Sequence, residues 1–394
     1  MTRRDASLLT AASVSATTLS PATLSTDSLA AQNQPAQNQP AQSQTETTKF
    51  DPVAYARERH ATAPLRLRFA AKSQREATAW QKQLRAKLTE LVGGFPARKT
   101  PLNARGFQTV DRGTHTRERF VFTSREGMDV LAYLLKPKGA QGRLPVMLVI
   151  PGHGRGVDDT VGLDEKGQER EGKPGYMHDY AIQVVEQQVV KGGVAALALE
   201  PLAFGHRRDP INAARGLTAN SCQPAAGAAL LLGETMIGWR VYDMMRAIDW
   251  VATRPDLDAG RVGAMGISGG GTCALFATAL DERIRAALVS GYLCTFRDSI
   301  LSLAHCMDNY VPGILQWAEM SDIACLIAPR ALFAESGEQD RIFPEAGFRE
   351  SVAAVEKAYA VYGAAEQFGH TVHGEGHVFD GRAGLPFVIQ RLHA

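Results

Sequence analysis

Five short apolar runs, each followed by a segment far longer than a turn requires, set the strongest limit on what this chain can fold into. They fall at residues 146–150, 194–199, 262–267, 286–290 and 331–335. A strand that is apolar on both faces belongs inside a parallel sheet with helices above and below, because polar and apolar residues alternate only where one face meets water. The intervening segments supply such helices. Residues 180–190 and 236–253 carry apolar side chains at helical spacing, and the second segment stops at Arg254-Pro255, where proline disfavours a helical predecessor. Ahead of the runs, 119–123 and 130–135 alternate around Glu126-Gly127 and predict an antiparallel hairpin. The expected class is therefore α/β: a mostly parallel central sheet with an antiparallel N-terminal hairpin and flanking helices.

The first 48 residues cannot contribute to that core. They are dominated by Ser, Thr, Ala, Gln, Asn and Pro, with no aromatic residue before Phe50. Arg3-Arg4 precede a weakly apolar stretch (Leu8, Leu9, Ala11, Ala12, Val14), and Ser28-Leu29-Ala30-Ala31 offers small residues for cleavage, so 1–31 resembles a twin-arginine export signal. The repeated Ala-Gln-Asn-Gln-Pro at 31–35 and 36–40 makes 32–48 a disordered linker. A periplasmic or secreted protein is expected. No run approaches the roughly 18 to 20 apolar residues of a membrane span. Residues 49–115 read as an N-terminal helical extension, with Leu84, Leu88, Leu91 and Val92 at helical spacing before Gly93-Gly94 ends the pattern. Residues 116–394 read as the catalytic domain. With 43 Lys+Arg against 41 Asp+Glu, the net charge of +2 provides no basic footprint for nucleic acid. The five cysteines form no CxxC pair, so neither a zinc module nor a disulfide scaffold is indicated.

Chemistry concentrates after the third run. Gly266-Ile267-Ser268-Gly269-Gly270 matches G-x-S-x-G, preceded by an apolar strand and followed by a helix-forming stretch. A serine at such an elbow is exposed on a sharp turn, with a helix N-terminus behind it to favour developing negative charge. It needs an acid and a base later in the chain. Asp340 follows the run at 331–335 in a turn at the carboxyl end of a strand, where α/β sites lie. Glu335 and Glu338 compete, the first still on the strand and the second in the turn. For the base, His377 after Gly376 has the better position, with His373 as fallback and His370 as a third candidate. No metal site is expected from those three histidines, since Gly374 and Gly376 break the helix that would align them. Gly269 and a residue of the loop 150–156 would supply oxyanion N–H groups, His153 being preferred and Arg155 the alternative. The segment 295–320 is the expected substrate wall. There Tyr310 and Trp317, with Phe296, would stack on a sugar, and Arg297, His305 and Asp308 would hydrogen-bond it; a core role for the aromatics is the other reading. The loop 200–207 reads as structural, Trp239-Arg240 as a packing and salt-bridge pair, and Cys273 as buried.

Several stretches carry a resemblance: Trp239-Arg240-Val241-Tyr242-Asp243, Ala279-Leu280-Asp281-Glu282-Arg283-Ile284, the run from His305 to Gly313, Ile327-Ala328-Pro329-Arg330 and Gly376-His377-Val378-Phe379. Together they make the chain similar, over roughly 120–392, to α/β-hydrolases of the dienelactone-hydrolase and acetyl-xylan-esterase-like group. The resemblance implies the α/β-hydrolase fold, a Ser268/Asp340/His377 triad, no cofactor, and hydrolysis of a small-molecule or carbohydrate ester, commonly an acyl group. Two departures stand out, Pro151 in place of the usual histidine before Gly152 and Gly269 in place of a bulkier residue. The alternatives are a prolyl-oligopeptidase-like serine peptidase, for which the residues ahead of the hairpin are too few to build propeller blades, and a non-catalytic binding protein on the same fold.

Overall fold

The computed structural model describes residues 50–164, 166–170 and 176–394; the segments read as export signal (1–31) and linker (32–48) lie outside the described residues. The apolar runs become the middle of a nine-stranded sheet of order β1-β2-β3-β5-β4-β6-β7-β8-β9. β1 (Arg105–Asp111), β2 (His115–Arg125) and β3 (Met128–Pro137) are antiparallel neighbours. β4 (Leu144–Ile150), β5 (Ala195–Leu199), β6 (Leu257–Ile267), β7 (Ile284–Ser290), β8 (Ala331–Gly337) and β9 (Phe368–His373) pair in parallel, and β3 joins the halves by an antiparallel pairing with β5. Every residue of β4, β5 and β8 is buried. On β4 the pleat divides the core: Val146, Leu148 and Ile150 meet the helices Met236–Val251 and Gly269–Leu280, while Met147 and Val149 meet Tyr180, Val184 and the last helix, Gly384–His393.

Two elements differ from the sequence-based expectation. Arg105–Asp111 is a strand, so the stretch 49–115 is not helical throughout; β1 is an exposed edge and shows no apolar alternation to reveal it. β9 carries His370 and His373, and the final helix begins at Gly384, seven residues beyond His377. The N-terminal helices, Pro52–Ala61 and Gln74–Leu91, are joined to the body, and Asp51–Ala394 forms one compact unit. Ala77, Gln81, Leu84 and Leu88 are buried; Gln81 Nε2 donates to the Ala328 carbonyl at 2.6 Å, and the Leu67 amide donates to the Trp317 carbonyl at 2.7 Å. The described residues ahead of β2 form two helices and one strand, which leaves no propeller of the prolyl-oligopeptidase kind there. Among the described residues no helix is long and apolar enough to cross a membrane.

The strand order determines where a site can lie. β4 and β6 are neighbours, and the chain leaves β4 for β5 on one side and β6 for β7 on the other, so the connections at their carboxyl ends diverge and open a crevice. Two buried carboxylates shape the loops around it. Glu200, directly after β5, accepts the Val157 amide at 3.1 Å and the His206 amide at 3.2 Å. Gly156 and Gly205 must be glycine for this, since a Cβ at either would fall 2.1 or 2.2 Å from a carboxylate oxygen of Glu200. Glu335 on β8 accepts the Asp380 amide at 3.0 Å and the Gly381 amide at 3.1 Å, tying down the chain just after His377.

Burial pushes both carboxyls up from an ordinary 4.5 to about 7, against the amides that donate to them. Between those values the folded chain holds more protons than the unfolded one, so each group's contribution is complete below about 4.5 and is lost as pH rises towards 7. The slope is at most about 1.4 kcal/mol per pH unit per group. Glu335→Gln keeps an oxygen for the two amides and removes the titration. Thermal melts should therefore show the variant losing less stability than the wild type from about pH 5 to pH 7; parallel pH profiles would refute the assignment.

Candidate active site

β6 delivers Ser268 at the sheet's centre. The residue takes φ 57° and ψ −123°, a region that costs a residue with a side chain about 1–3 kcal/mol unless its surroundings enforce it. They do. The Ser268 amide donates to the Ser290 carbonyl of β7 at 3.0 Å, and its carbonyl accepts the Thr272 amide at 2.9 Å as the helix Gly269–Leu280 begins. The helix start also lies against the end of β4: a Cβ on Gly270 would fall 2.2 Å from the Ile150 carbonyl oxygen, and one on Gly266 2.3 Å from the Gly270 carbonyl. The flanking glycines are thus required by close backbone approach rather than by their own φ. The Ser268 side chain makes no cap bond to its helix, and the residue lines a pocket of about 430 Å³.

His377 lines the same pocket, on the loop after β9. Its Nδ1 lies 2.6 Å from Asp340 Oδ2. Asp340, buried in the turn after β8, is itself oriented, because its Oδ1 accepts the amides of Ile342 at 2.8 Å and Phe343 at 3.0 Å. The Phe343 ring stacks on the His377 imidazole with centroids 5.7 Å apart and planes 21° apart. One turn of backbone therefore positions both Asp340 and the ring that restrains His377. The histidines offered as alternatives lie elsewhere: His370 pairs with Glu356 at 3.3 Å, and His373 is buried on β9.

The loop after β4 forms the facing wall. Of the two residues proposed for its oxyanion N–H, Arg155 is committed elsewhere, its amide donating to Asp159 Oδ2 at 2.7 Å and its guanidinium to Asp159 Oδ1. His153 lines the pocket beside Ser268 and Gly269. Gly269 opens its helix, so its amide has no intrahelical acceptor. The absence of a side chain at Gly269 has a local reason, since a Cβ there would sit 3.2 Å from His153 Cε1. That ring is held in place by Phe204, with centroids 4.6 Å apart. Behind it, Arg240 and Asp308 form a wholly buried ion pair with Nη1 and Oδ2 2.5 Å apart. Burial opposes the Asp308 carboxylate most strongly, but Arg240, His153 and the hydrogen bonds to the group together hold it below the ordinary carboxylate range.

The expected substrate wall is only partly there. His305 and Asn309 line the pocket with Leu303, Cys306, Ile342 and Phe343. Tyr310, Trp317 and Arg297 do not. Tyr310 opens onto a neighbouring cavity shared with Tyr55 and Phe296. Trp317 receives Lys87 at 4.4 Å and Arg66 at 5.1 Å over its ring, which makes it the dock for the N-terminal segment. Arg297 is bound by Asp298 and Glu350, each at 2.7 Å. Sequence reasoning missed Phe343, Asn309 and the two loop-anchoring glutamates; a carboxylate at the end of an apolar strand was the available signal for the last pair.

Comparison with known proteins agrees with this architecture. Residues 60–377 match the model of the Abhydrolase family. The provisionally named hydrolase YtaP of Bacillus subtilis (strain 168) is 26% identical over 299 residues, which cover 74% of this chain and 92% of that protein. Among solved structures, a Bacteroides fragilis protein provisionally named an acetyl xylan esterase superposes with a TM-score of 0.68 at 20% identity, covering 83% of each chain. A glucuronoyl esterase from Solibacter usitatus gives 0.62 at 16% identity, covering 84% of this chain and 97% of that one. With the family's model spanning most of the sequence and the sheet, elbow and strand-end loops in place, this chain belongs to the Abhydrolase family and is a hydrolase of the α/β-hydrolase fold.

Proposed function

We propose that the protein is a serine carboxylic-ester hydrolase that removes acyl groups, acetyl foremost, from a carbohydrate. One observation carries the reading: a serine held at positive φ shares its pocket with a histidine whose far nitrogen is bonded to a buried, doubly anchored aspartate. In this mechanism His377 Nε2 takes the Ser268 proton while Asp340 holds the ring and balances the imidazolium. Ser268 Oγ adds to the ester carbonyl, and the amides of Gly269 and His153 receive the oxyanion. His377 returns the proton to the departing alcohol, and water then releases the acid by the same steps. The pocket supports a small acyl group. Ile342, Leu303 and Phe343 offer an apolar surface, while His305 and Asn309 offer polar contacts at the mouth. The relatives named as acetyl xylan and glucuronoyl esterases favour a carbohydrate alcohol, and the twin-arginine-like N-terminus favours export to where such polymers occur.

Ser268→Ala should lower kcat on p-nitrophenyl acetate by about 10,000-fold or more, with the circular dichroism spectrum unchanged. Retained turnover would defeat the mechanism. Asp340→Asn should lower kcat by roughly the same factor while KM stays near the wild-type value, because the aspartate orients the base and touches no substrate. A panel of acetylated xylan, methyl glucuronate esters and peptide amides tests the substrate class. Fastest release from acetylated xylan is expected, and a preference for peptide amides would point to a peptidase instead.

A further inference from the structure

The hydrolytic reading uses the Gly269 side of His153 and leaves the far edge of its ring unexplained. That edge faces Cys222, at the start of the helix Cys222–Leu231, together with Cys306 on the pocket wall and Asp308. One donor atom from each of the four residues lies within 4.8 Å of all the others. Three separations are known individually: Cys222 Sγ to His153 Nε2 is 3.9 Å, Cys222 Sγ to Asp308 Oδ2 is 3.6 Å, and His153 Nε2 to Asp308 Oδ2 is 3.6 Å. The last exceeds the roughly 3.2 Å limit of an N–H···O bond, so the imidazole and the carboxylate face each other without bonding. The centre of the triangle formed by the three atoms lies about 2.1 Å from each, and an ion displaced from their plane towards the fourth ligand sits slightly further away, within the roughly 2.0–2.3 Å of zinc bonds to nitrogen, oxygen and sulfur. Tetrahedral zinc with these ligand types has edges of about 3.4–3.8 Å.

We propose that His153 Nε2, Cys222 Sγ, Cys306 Sγ and Asp308 Oδ2 form a closed four-ligand site for zinc. Two thiolates and an imidazole favour zinc over magnesium or calcium, which take oxygen ligands. The charges also balance. Two thiolates and a carboxylate carry three negative charges, and zinc with the buried guanidinium of Arg240 carries three positive ones. Arg240 then serves as an outer partner, donating from Nη1 to Asp308 Oδ2 and, at 3.5 Å, from Nη2 to Cys222 Sγ. Binding releases the two thiol protons to solvent and involves no change of oxidation state. Four protein ligands leave no coordination position for substrate, so the ion is a clamp. It ties the loop after β4, the start of the 222–231 helix and the 306–308 segment together behind the amides assigned to the oxyanion. A Cys222–Cys306 disulfide is the competing use of these residues; it employs two of the four and leaves His153 Nε2 and Asp308 Oδ2 facing each other without a bond.

The test uses the full chain, purified under a phosphine reductant without chelator, incubated with zinc chloride and dialysed, with metal measured by inductively coupled plasma mass spectrometry. About one zinc per chain is expected. Cys222 and Cys306 should resist a thiol reagent until a chelator removes the ion. Cys306→Ser, at the partly exposed position, and His153→Gln should each weaken zinc binding by more than the roughly 10- to 100-fold that losing an outer-shell partner costs. The proposal is overturned if folded, fully reduced wild type retains less than about a tenth of a zinc per chain, or if wild type and Cys306→Ser take up the same amount. None of these readouts depends on ester turnover, so a failure here leaves the hydrolytic assignment standing, and the converse also holds.

Discussion

Backbone contact between the elbow and the end of β4 is the constraint on which the rest of the site depends. Gly270 lies so close to the Ile150 carbonyl that a methyl group cannot fit, and Gly266 lies equally close to Gly270. This leaves one path for the chain, in which the residue between strand and helix must turn through positive φ. The strain is held by hydrogen bonds from Ser268 to β7 and to its own helix, with the whole helix Gly269–Leu280 buried against the sheet. Because the same contact brings the β4 loop alongside the elbow, the wall containing His153 and the wall containing Ser268 are positioned by a single packing event. Ser268 and the amides proposed for the oxyanion therefore cannot drift apart without unpacking β4 from the helix, which is the kind of rigid support that electrostatic stabilisation of a transition state needs.

How much of this could be read from the chain follows from how local each signal is. Five central strands, β4 to β8, together with the hairpin and the elbow, are marked by contiguous residues, since runs such as 146–150 are apolar at every position and 266–271 combines serine with glycines inside a strand-to-helix context. Asp340 is legible as a turn residue after the run at 331–335, with Glu335 and Glu338 competing, whereas His377 is singled out only by the Gly376 before it, with His373 and His370 as alternatives. β1 is not legible, because an exposed edge has no buried face to impose alternation. β9 is marked only by Phe368 and Val372, and its Gly369 is there because the Phe333 ring occupies the space a side chain would need. The misassigned wall residues share one cause. Aromatics and charges at 297, 310 and 317 look alike whether they meet a substrate or another segment of the chain. For Trp317 the deciding partners, Arg66 and Lys87, lie more than two hundred residues away in sequence.

The same distance in sequence hides the buried charges. Glu200 and Glu335 occupy matching places at the ends of β5 and β8: Glu335 receives the amides of Asp380 and Gly381 from the loop that carries His377, and Glu200 receives one amide from the β4 loop, at Val157, and one from its own following loop, at His206. A loop crossing the end of a parallel sheet has amides without a ladder partner, and leaving them unbonded in a buried setting costs about 1–3 kcal/mol each. A carboxylate rising from the strand below satisfies two amides at once. The cost is a carboxyl out of water, which is why both groups are pushed up to about 7.

Arg240 and Asp308 resolve the same problem differently, by pairing, and the comparison explains why one carboxylate behind the site stays charged while two beside it do not. Asp308 has a guanidinium within bonding distance and accepts from the Asn309 side-chain Nδ2 at 3.0 Å, so its negative charge is compensated inside the protein. Glu200 and Glu335 have backbone amides, whose dipoles offset only part of the desolvation penalty. Ionised Asp308 therefore provides a lasting negative charge facing His153 Nε2, while the loop-anchoring glutamates can gain or lose a proton near neutral pH. The arrangement keeps the fixed charge next to the residues that position the reacting groups and confines the titrating ones to the strand ends that hold the loops.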